Sequence, residues 1–523
     1  MLLLVATTTS AAPVKLESAK TAVETWVRQV TADARPDAVI ERMELHVVDG
    51  RTVGYIAHLS GGGYCLCGAD DRLLPVYLYR TEGAYDSENP SYQYIFSRLQ
   101  ARLARLEQAA TERSAELDQY EAELARRETY WADLISRRIP EPQMERGDRA
   151  DPTSMSLRVD SYWHQHSPYN DQCPVLTRGT DEHVVVGCTA TTAAQIMYYW
   201  KWPVTGTGSN SVEYNRRYRD DWHSRPLATD PQLDLPNPFW TSRLDWDPVN
   251  GGWLSVSNTW DPSIYWEARK RCNNGVDCED ADYHATLETL WDSDMIRDPT
   301  TCAADFGATT YSWSLMRDVH ADDSVDSGDI AAATLSHHAG IAVGMSYGKL
   351  GSSAGRTRNG LVNYFRYDSD AYELARNVDA MVEDIQWLRP VEITGKEEGV
   401  GGHSWVACGY NKATTPWQFL MNIGWGAGST EWFSVDEVFP DEQGNTVQIA
   451  PEEGVKFVGG GTRGDGSPNS PISSLQAALD SVPDDTLLIM KAGTTHTVAS
   501  VGGVATLDKP IRLTGHKITI LPE

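Results

Sequence analysis

The chain has 523 residues, enough for several domains that each bury their own core. Its formal charge of -28 opposes binding to nucleic acid or to an anionic membrane surface. No apolar run approaches the roughly 20 residues that span a bilayer, and eight cysteines are too few to act as a disulfide scaffold at this length.

The N-terminus, MLLLVATTTSAAPV, has a short apolar core followed by small residues at Ser10, Ala11 and Ala12. That is the pattern at the end of a secretory signal, without its basic leader, so residues 1–14 are read as a signal remnant. Residues from about 16 to 95 read as a small α+β unit: helical spacing over Lys15–Val30, then strand-like runs at Met43–Val48, Val53–Leu59 and Tyr64–Gly68. Cys65 and Cys67 alternate on the last of these and so share one face. From Tyr92 to about Arg138 the sequence predicts one long charged helix with a narrow stripe of Leu99, Leu103 and Leu106. Pro140–Ser154 is polar, prolines and charges without periodicity, and reads as an exposed linker open to proteolysis. The first segment after the signal is therefore 15–150.

Residues 151–452 form the largest block, rich in Trp and Tyr, with helical and strand-like segments mixed. Within it Cys272 and Cys278 bracket a turn-rich loop that a disulfide would close. The composition changes near Pro451. In 453–523, short strands are separated by Gly, Asp and Pro at regular spacing, the pattern of about three coils of a β-helix.

Candidate chemistry begins at VGCTATTAAQIMYYWKWP (Val186–Pro203). A helix opens at Cys188 directly after Gly187, and Ala190, Ala193, Ala194 and Met197 give it a face that packs closely. Unpaired N–H groups and the dipole at a helix start lower a thiol's pKa and supply oxyanion donors. A thiolate needs a histidine beside it as base and acid. Among thirteen histidines, His403 has distinctive surroundings, GVGGHSWVACGY: glycines before it and an apolar strand after it. About twenty residues later FLMNIGWGAG offers Asn422 to orient an imidazole. Gly344-Met-Ser346-Tyr-Gly348 matches a serine-nucleophile elbow by letters, but loop residues follow where that elbow needs a helix. His164 and His166 lack a third metal ligand nearby, the Asp277–Asp282 cluster reads as a solvated loop, and Arg463-Gly464-Asp465 reads as a turn.

Cys, His and Asn in that order on helix, strand and strand end follow the order of papain-like proteases. Five segments carry a resemblance to the streptopain family of secreted bacterial cysteine peptidases: WHQHSPYN (Trp163–Asn170), GCTATTAAQIMYYWKWP (Gly187–Pro203), VGMSYGKLGSSAG (Val343–Gly355), GGHSWVACGY (Gly401–Tyr410) and NIGWGAG (Asn422–Gly428). The resemblance implies Cys188 as nucleophile, His403 as general base and acid, and Gln165 with the Cys188 N–H as oxyanion hole. It further implies that Asn422 holds His403, that Trp425 shields that contact, and that Gly402 and the Ser352-Ser353-Ala354 loop border the substrate groove. The family pattern has Trp directly after the Asn, where this chain has Ile423. Gly61–Asp86 resembles the family's propeptide, which implies an N-terminal inhibitor removed by a cut in Pro140–Ser154.

The expectation is thus an α+β chain: a small propeptide with a long helix, a papain-like cysteine peptidase domain, and β-helix-like coils. Its partners would be protein or peptide substrates and its own propeptide, with no nucleic acid, membrane span, metal or cofactor, and its place secreted or at a bacterial cell surface. The alternative is an inactive peptidase-like surface protein whose tail binds a polysaccharide or mediates adhesion. An intact Gln165, Cys188, His403 and Asn422 set argues against it, since a scaffold has no physical need for all four. A serine hydrolase acting through Ser346 is the third and weakest reading.

Overall fold

The computed structural model describes residues 13–30, 39–112, 115–138, 152–176, 182–215, 244–247, 252–255, 299–320, 325–347, 355–397, 401–414, 416–426, 429–459, 464–498, 500–501, 504–505 and 510–522. Residues 1–12 of the signal remnant, most of the Pro140–Ser154 linker, Cys272 with Cys278, the Asp277–Asp282 cluster, Arg463 and the Ser352-Ser353-Ala354 loop lie outside the described residues. The chain divides into two compact units. One comprises Met1–His164, Gln195–Trp202 and Arg366–Glu523; the other comprises Gln165–Ala194 and Pro203–Phe365.

In the first unit helix α1 (Leu16–Val30) buries Ala19, Ala22, Val23, Trp26 and Val27, the i, i+3, i+4, i+7, i+8 face of an amphipathic helix. That face packs on Tyr55, Ala57, Cys65, Cys67 and Tyr79 and on Trp131 and Leu134 from further along the chain. Cys65 and Cys67 are buried on one face of the strand Tyr64–Gly68, as their alternation predicts.

The long charged stretch is not one helix. It forms α2 (Pro90–Glu112) and α3 (Ala115–Ile135). Arg102 on α2 and Arg127 on α3 both reach the Glu437 carboxylate. On a single straight helix those two side chains would stand about 37 Å apart, so the chain doubles back between them.

Strands from both ends of the sequence build one antiparallel sheet. Ile40–Val48, Arg51–Leu59, Tyr64–Gly68 and Leu78–Arg80 follow in order, and the last pairs with Thr430–Ser434, setting Tyr79 against Trp432 and Leu78 against Phe433. The ladder continues through Gln418–Asn422, Gly401–Asn411, Val391–Glu397, Asp441–Val447 and Tyr372–Ala375, with Ser154–Ser156 also paired to Gly401–Asn411. His403–Asn411 is buried residue after residue, the mark of a strand covered on both faces.

After Ala450 the chain makes short parallel strands. Val455–Val458, Leu487–Met490 and Arg512–Thr514 form one ladder, and Thr495–Val498 pairs with Thr519–Pro522 in another. Their inward side chains, among them Val458, Leu475, Leu488, Met490 and Val498, make a small core. Phe457 and Ile489 pack instead on Trp387 and Ala450 of the preceding block.

In the second unit the strands Ser209–Asn215 and Pro299–Asp305 pair antiparallel. Helix α5 (Ser327–Val343), which follows α4 (Cys188–Trp200) in the sequence, starts at Asp326, whose carboxylate takes the N–H groups of Gly328 and Asp329 in a capping box. Gly344 closes α5 in the left-handed region at φ 71. The helix therefore ends just before Ser346 instead of beginning after it, the reverse of a nucleophile elbow.

Candidate functional site

Helix α4 (Cys188–Trp200) begins at Cys188, and Gly187 before it has φ 90, a conformation that L side chains rarely adopt. The Thr191 N–H already donates to the Gly187 carbonyl at 2.9 Å, so the first turn is formed. Ala190, Ala193, Ala194 and Met197 are fully buried, as the small-residue face predicts. Cys188 is half-buried, whereas Cys65, Cys67, Cys173, Cys302 and Cys408 are buried. Burial pushes the Cys173 and Cys408 thiols up to about 12, which leaves them protonated and inert. Among the described cysteines Cys188 alone combines access with a helix start. Gln165 lies in the same unit, half-buried, and its carbonyl accepts from the Val186 N–H at 3.0 Å, two residues before Cys188.

His403, Asn422 and Trp425 belong to the first unit. His403 is 8% exposed on its strand. Its Nε2 lies 2.9 Å from the Ile423 carbonyl, which only accepts, so Nε2 carries the proton and Nδ1 the lone pair. Burial pulls its pKa down to about 4, with the Ile423 bond opposing, so the ring is neutral at physiological pH. Phe439 stacks at 4.9 Å between ring centres, Trp425 tilts at 5.0 Å, and Trp405 stacks at 5.8 Å. Trp425 thus lies against the imidazole, while the Asn422–His403 contact it was expected to shield is not made.

The side chain of Asn422 turns toward other partners. Its amide donates to the Ser161 carbonyl at 2.5 Å and its carbonyl accepts from the Gly424 N–H at 3.1 Å. Both bonds fix the turn that presents the Ile423 carbonyl to His403. Gly402 is exposed, and a Cβ there would meet nothing closer than 3.8 Å, so the strand beside His403 is open to an approaching backbone. Ser352 and Ser353 fall outside the described residues. His164 lies against Gly426, His166 is exposed, and no metal-holding group of His, Cys, Asp and Glu is found among the described residues.

Several residues that sequence reasoning did not single out surround this half of the site. Three carboxylates on the His403 side are each contacted by the N-terminal segment. Glu431 accepts from the hydroxyls of Tyr92 at 2.5 Å and Tyr64 at 3.3 Å and from Arg80 at 3.3 Å. Glu437 pairs with Arg102 and Arg127, and Glu397 with Tyr94 at 2.5 Å and Arg98 at 2.7 Å. The Tyr94 ring stacks on Phe439 at 4.8 Å and meets Trp425 edge-on at 5.7 Å. Arginine and tyrosine are ordinary on a charged helix, so nothing local marked these residues.

Residues 163–247 and 282–433 match the model of the peptidase C10 family, a span that takes in Gln165, Cys188, His403, Asn422 and Trp425. Streptopain of Streptococcus pyogenes is 20% identical over 406 residues, covering 75% of this chain and 75% of the relative. Of solved structures, a prointerpain A fragment from Prevotella intermedia is 20% identical, with a TM-score of 0.44, over 77% of this chain and 98% of that one. Active interpain A from the same organism is 23% identical, with a TM-score of 0.38, over 58% and 98%.

Proposed function

From the premise that the chain belongs to the peptidase C10 family and is a cysteine-type peptidase, we propose that it is made as a zymogen and that Cys188 and His403 hydrolyse peptide bonds through an acyl-enzyme. The Cys188 thiol gives its proton to Nδ1 of His403, and the thiolate adds to the substrate carbonyl. The oxyanion is held by the Gln165 side-chain amide and the Cys188 N–H. His403 returns the proton to the departing amine, and the thioester forms. Water, deprotonated by the same nitrogen, then releases the acid and restores the thiol. The observation that carries this reading is the family match spanning all of these residues, with Cys188 accessible at a helix start and His403 held neutral with Nδ1 free to accept. Asn422 serves His403 by fixing the turn of Ile423, and Trp425 keeps water from the Nε2 bond; Gly402 with Ser352 and Ser353 borders the groove.

The same reading takes residues 15–150 as an inhibitory propeptide, cut away within Pro140–Ser154, and the enzyme as secreted or held at a bacterial surface. Residues 453–523 form β-helix-like coils. An expected outcome tests the catalytic part: a thiol-directed epoxide labels the processed chain at Cys188, a serine-directed fluorophosphonate labels nothing, and Cys188→Ala removes both labelling and proteolysis. A processed chain that takes neither reagent would favour an inactive surface protein.

A further inference from the structure

The contact made by Tyr94 has the composition of a binding site for a side chain. Its hydroxyl donates to the Glu397 carboxylate at 2.5 Å and accepts from the Phe439 N–H at 2.9 Å, while its ring lies flat on Phe439 and edge-on to Trp425. Both of those rings also touch the His403 imidazole, at 4.9 and 5.0 Å between centres. The phenol is therefore one aromatic ring away from the proposed base.

The backbone that receives it is built at some cost. Phe439 sits in the left-handed region at φ 41, uncommon for a bulky residue and a mark of strain kept for a purpose. A Cβ on Gly395 would come within 2.2 Å of the Phe439 carbonyl, so only glycine lets that segment lie against the strand that ends in Glu397. Phe439, Gly395 and Glu397 all lie C-terminal to the proposed processing site and stay with the enzyme when the N-terminal segment leaves. Glu397 then loses Tyr94 and Arg98 together, and the Phe439 N–H loses its acceptor.

We infer that, in the processed enzyme, the notch of Glu397, the Phe439 N–H, Phe439 and Trp425 is a substrate subsite for a tyrosine side chain, with Glu397 as its specificity-determining residue. This rests on the peptidase reading above. Tyr94 shows which chemistry the notch accepts: a flat ring for the two aromatic faces, and a hydroxyl that both donates and accepts. Phenylalanine fills the rings but leaves the carboxylate and the N–H without partners, and a site built around a hydroxyl discriminates against its absence.

The experiment uses the full chain after its own processing and fluorogenic peptides that differ at one position at a time, scanned over three residues on each side of the cleaved bond. At one position tyrosine is expected to raise kcat/KM over phenylalanine roughly tenfold or more, the scale of a hydrogen bond to a charged group. Glu397→Ala should bring that ratio to about one, and Glu397→Gln, which keeps an acceptor without the charge, should retain part of it. If Glu397→Ala fails to fold or process, the wild-type profile and Glu397→Gln still decide. Equal rates for tyrosine and phenylalanine at every position would overturn the subsite while leaving the peptidase intact. A preference for arginine over tyrosine there would overturn the phenol assignment. No cleavage of any peptide would overturn the peptidase reading, and the subsite with it.

Discussion

His403, the proposed base, shows how much of an imidazole's character comes from its surroundings. Three aromatic rings and a carbonyl leave it no water for a positive charge, which is why its pKa falls to about 4. A histidine whose folded pKa lies below the ordinary 6.5 stabilises the fold fully above that value, and the contribution is lost as pH falls from about 6.5 toward 4. In a Cys188→Ala chain, in which the proposed nucleophile is removed so that the N-terminal segment stays attached, the imidazole resonances of His403 should titrate near pH 4 by NMR; a midpoint at 6.5 would contradict the burial described. The position of Ile423 gains meaning at the same scale. Its side chain is 2% exposed and packed inward, but its contribution to His403 is the carbonyl, which any residue would supply. The cover over the ring comes from Trp425, Phe439 and Trp405.

Among the elements, helix α2 does the most to hold the N-terminal segment on the His403 half. Tyr94, Arg98 and Arg102 lie at i, i+4 and i+8 and, together with Tyr92, reach three carboxylates, with Arg80 and Arg127 contributed by neighbouring elements. Glu431 is the member whose protonation matters. Burial holds its pKa well above the usual carboxylate range; Arg80 and Tyr64 oppose that without overcoming it, and Tyr92 completes the groups facing it. A carboxyl with a raised folded pKa favours the docked state most below its ordinary value near 4.5, and that support drains away as pH rises toward the folded value. Thermal unfolding of the Cys188→Ala chain should therefore show the N-terminal segment loosening as pH rises through that window, and Glu431→Gln should flatten the dependence. An unchanged pH profile in Glu431→Gln would place the effect elsewhere. Nothing in the sequence marks the split between α2 and α3. Neither Gly nor Pro marks it in Thr111-Glu112-Arg113-Ser114, and the charged composition is the same on both sides.

At the scale of the whole molecule, the C-terminal region meets the block before it at a buried, ion-paired arginine as well as through apolar packing. Arg389, 1% exposed, grips Asp384 at 2.9 and 2.5 Å and also donates to the Pro468 carbonyl at 3.3 Å, while its guanidinium lies 4.9 Å from the Phe457 ring centre. Asp384 in turn accepts from the Gln448 N–H. Removing one partner of such a pair strands the other charge out of water. Arg389→Met should cost about 3–5 kcal/mol of unfolding free energy, and the double change with Asp384→Leu should recover much of it. Denaturant titration of the single and double variants checks this, and a single variant as stable as the parent would show that the pair carries no such weight. The charge of -28, by contrast, governs solubility and partners and has no part in this junction.

What the sequence determined by itself was local or periodic. The buried face of α1, the strand with Cys65 and Cys67, the helix opening at Cys188 after Gly187, and the strand behind His403 were all legible, because spacing and turn chemistry act between near neighbours. The identity of the candidate nucleophile and base was legible from five short segments in order. Tertiary structure decided the rest. The acceptor on His403 is a main-chain carbonyl, to which residue type is blind. Phe439 and Tyr94, which enclose this half of the site, come from positions hundreds of residues apart, and each looks ordinary in its own segment. Long-range pairing is invisible to local pattern because its stabilisation exists only once the sheet has brought both ends of the chain together.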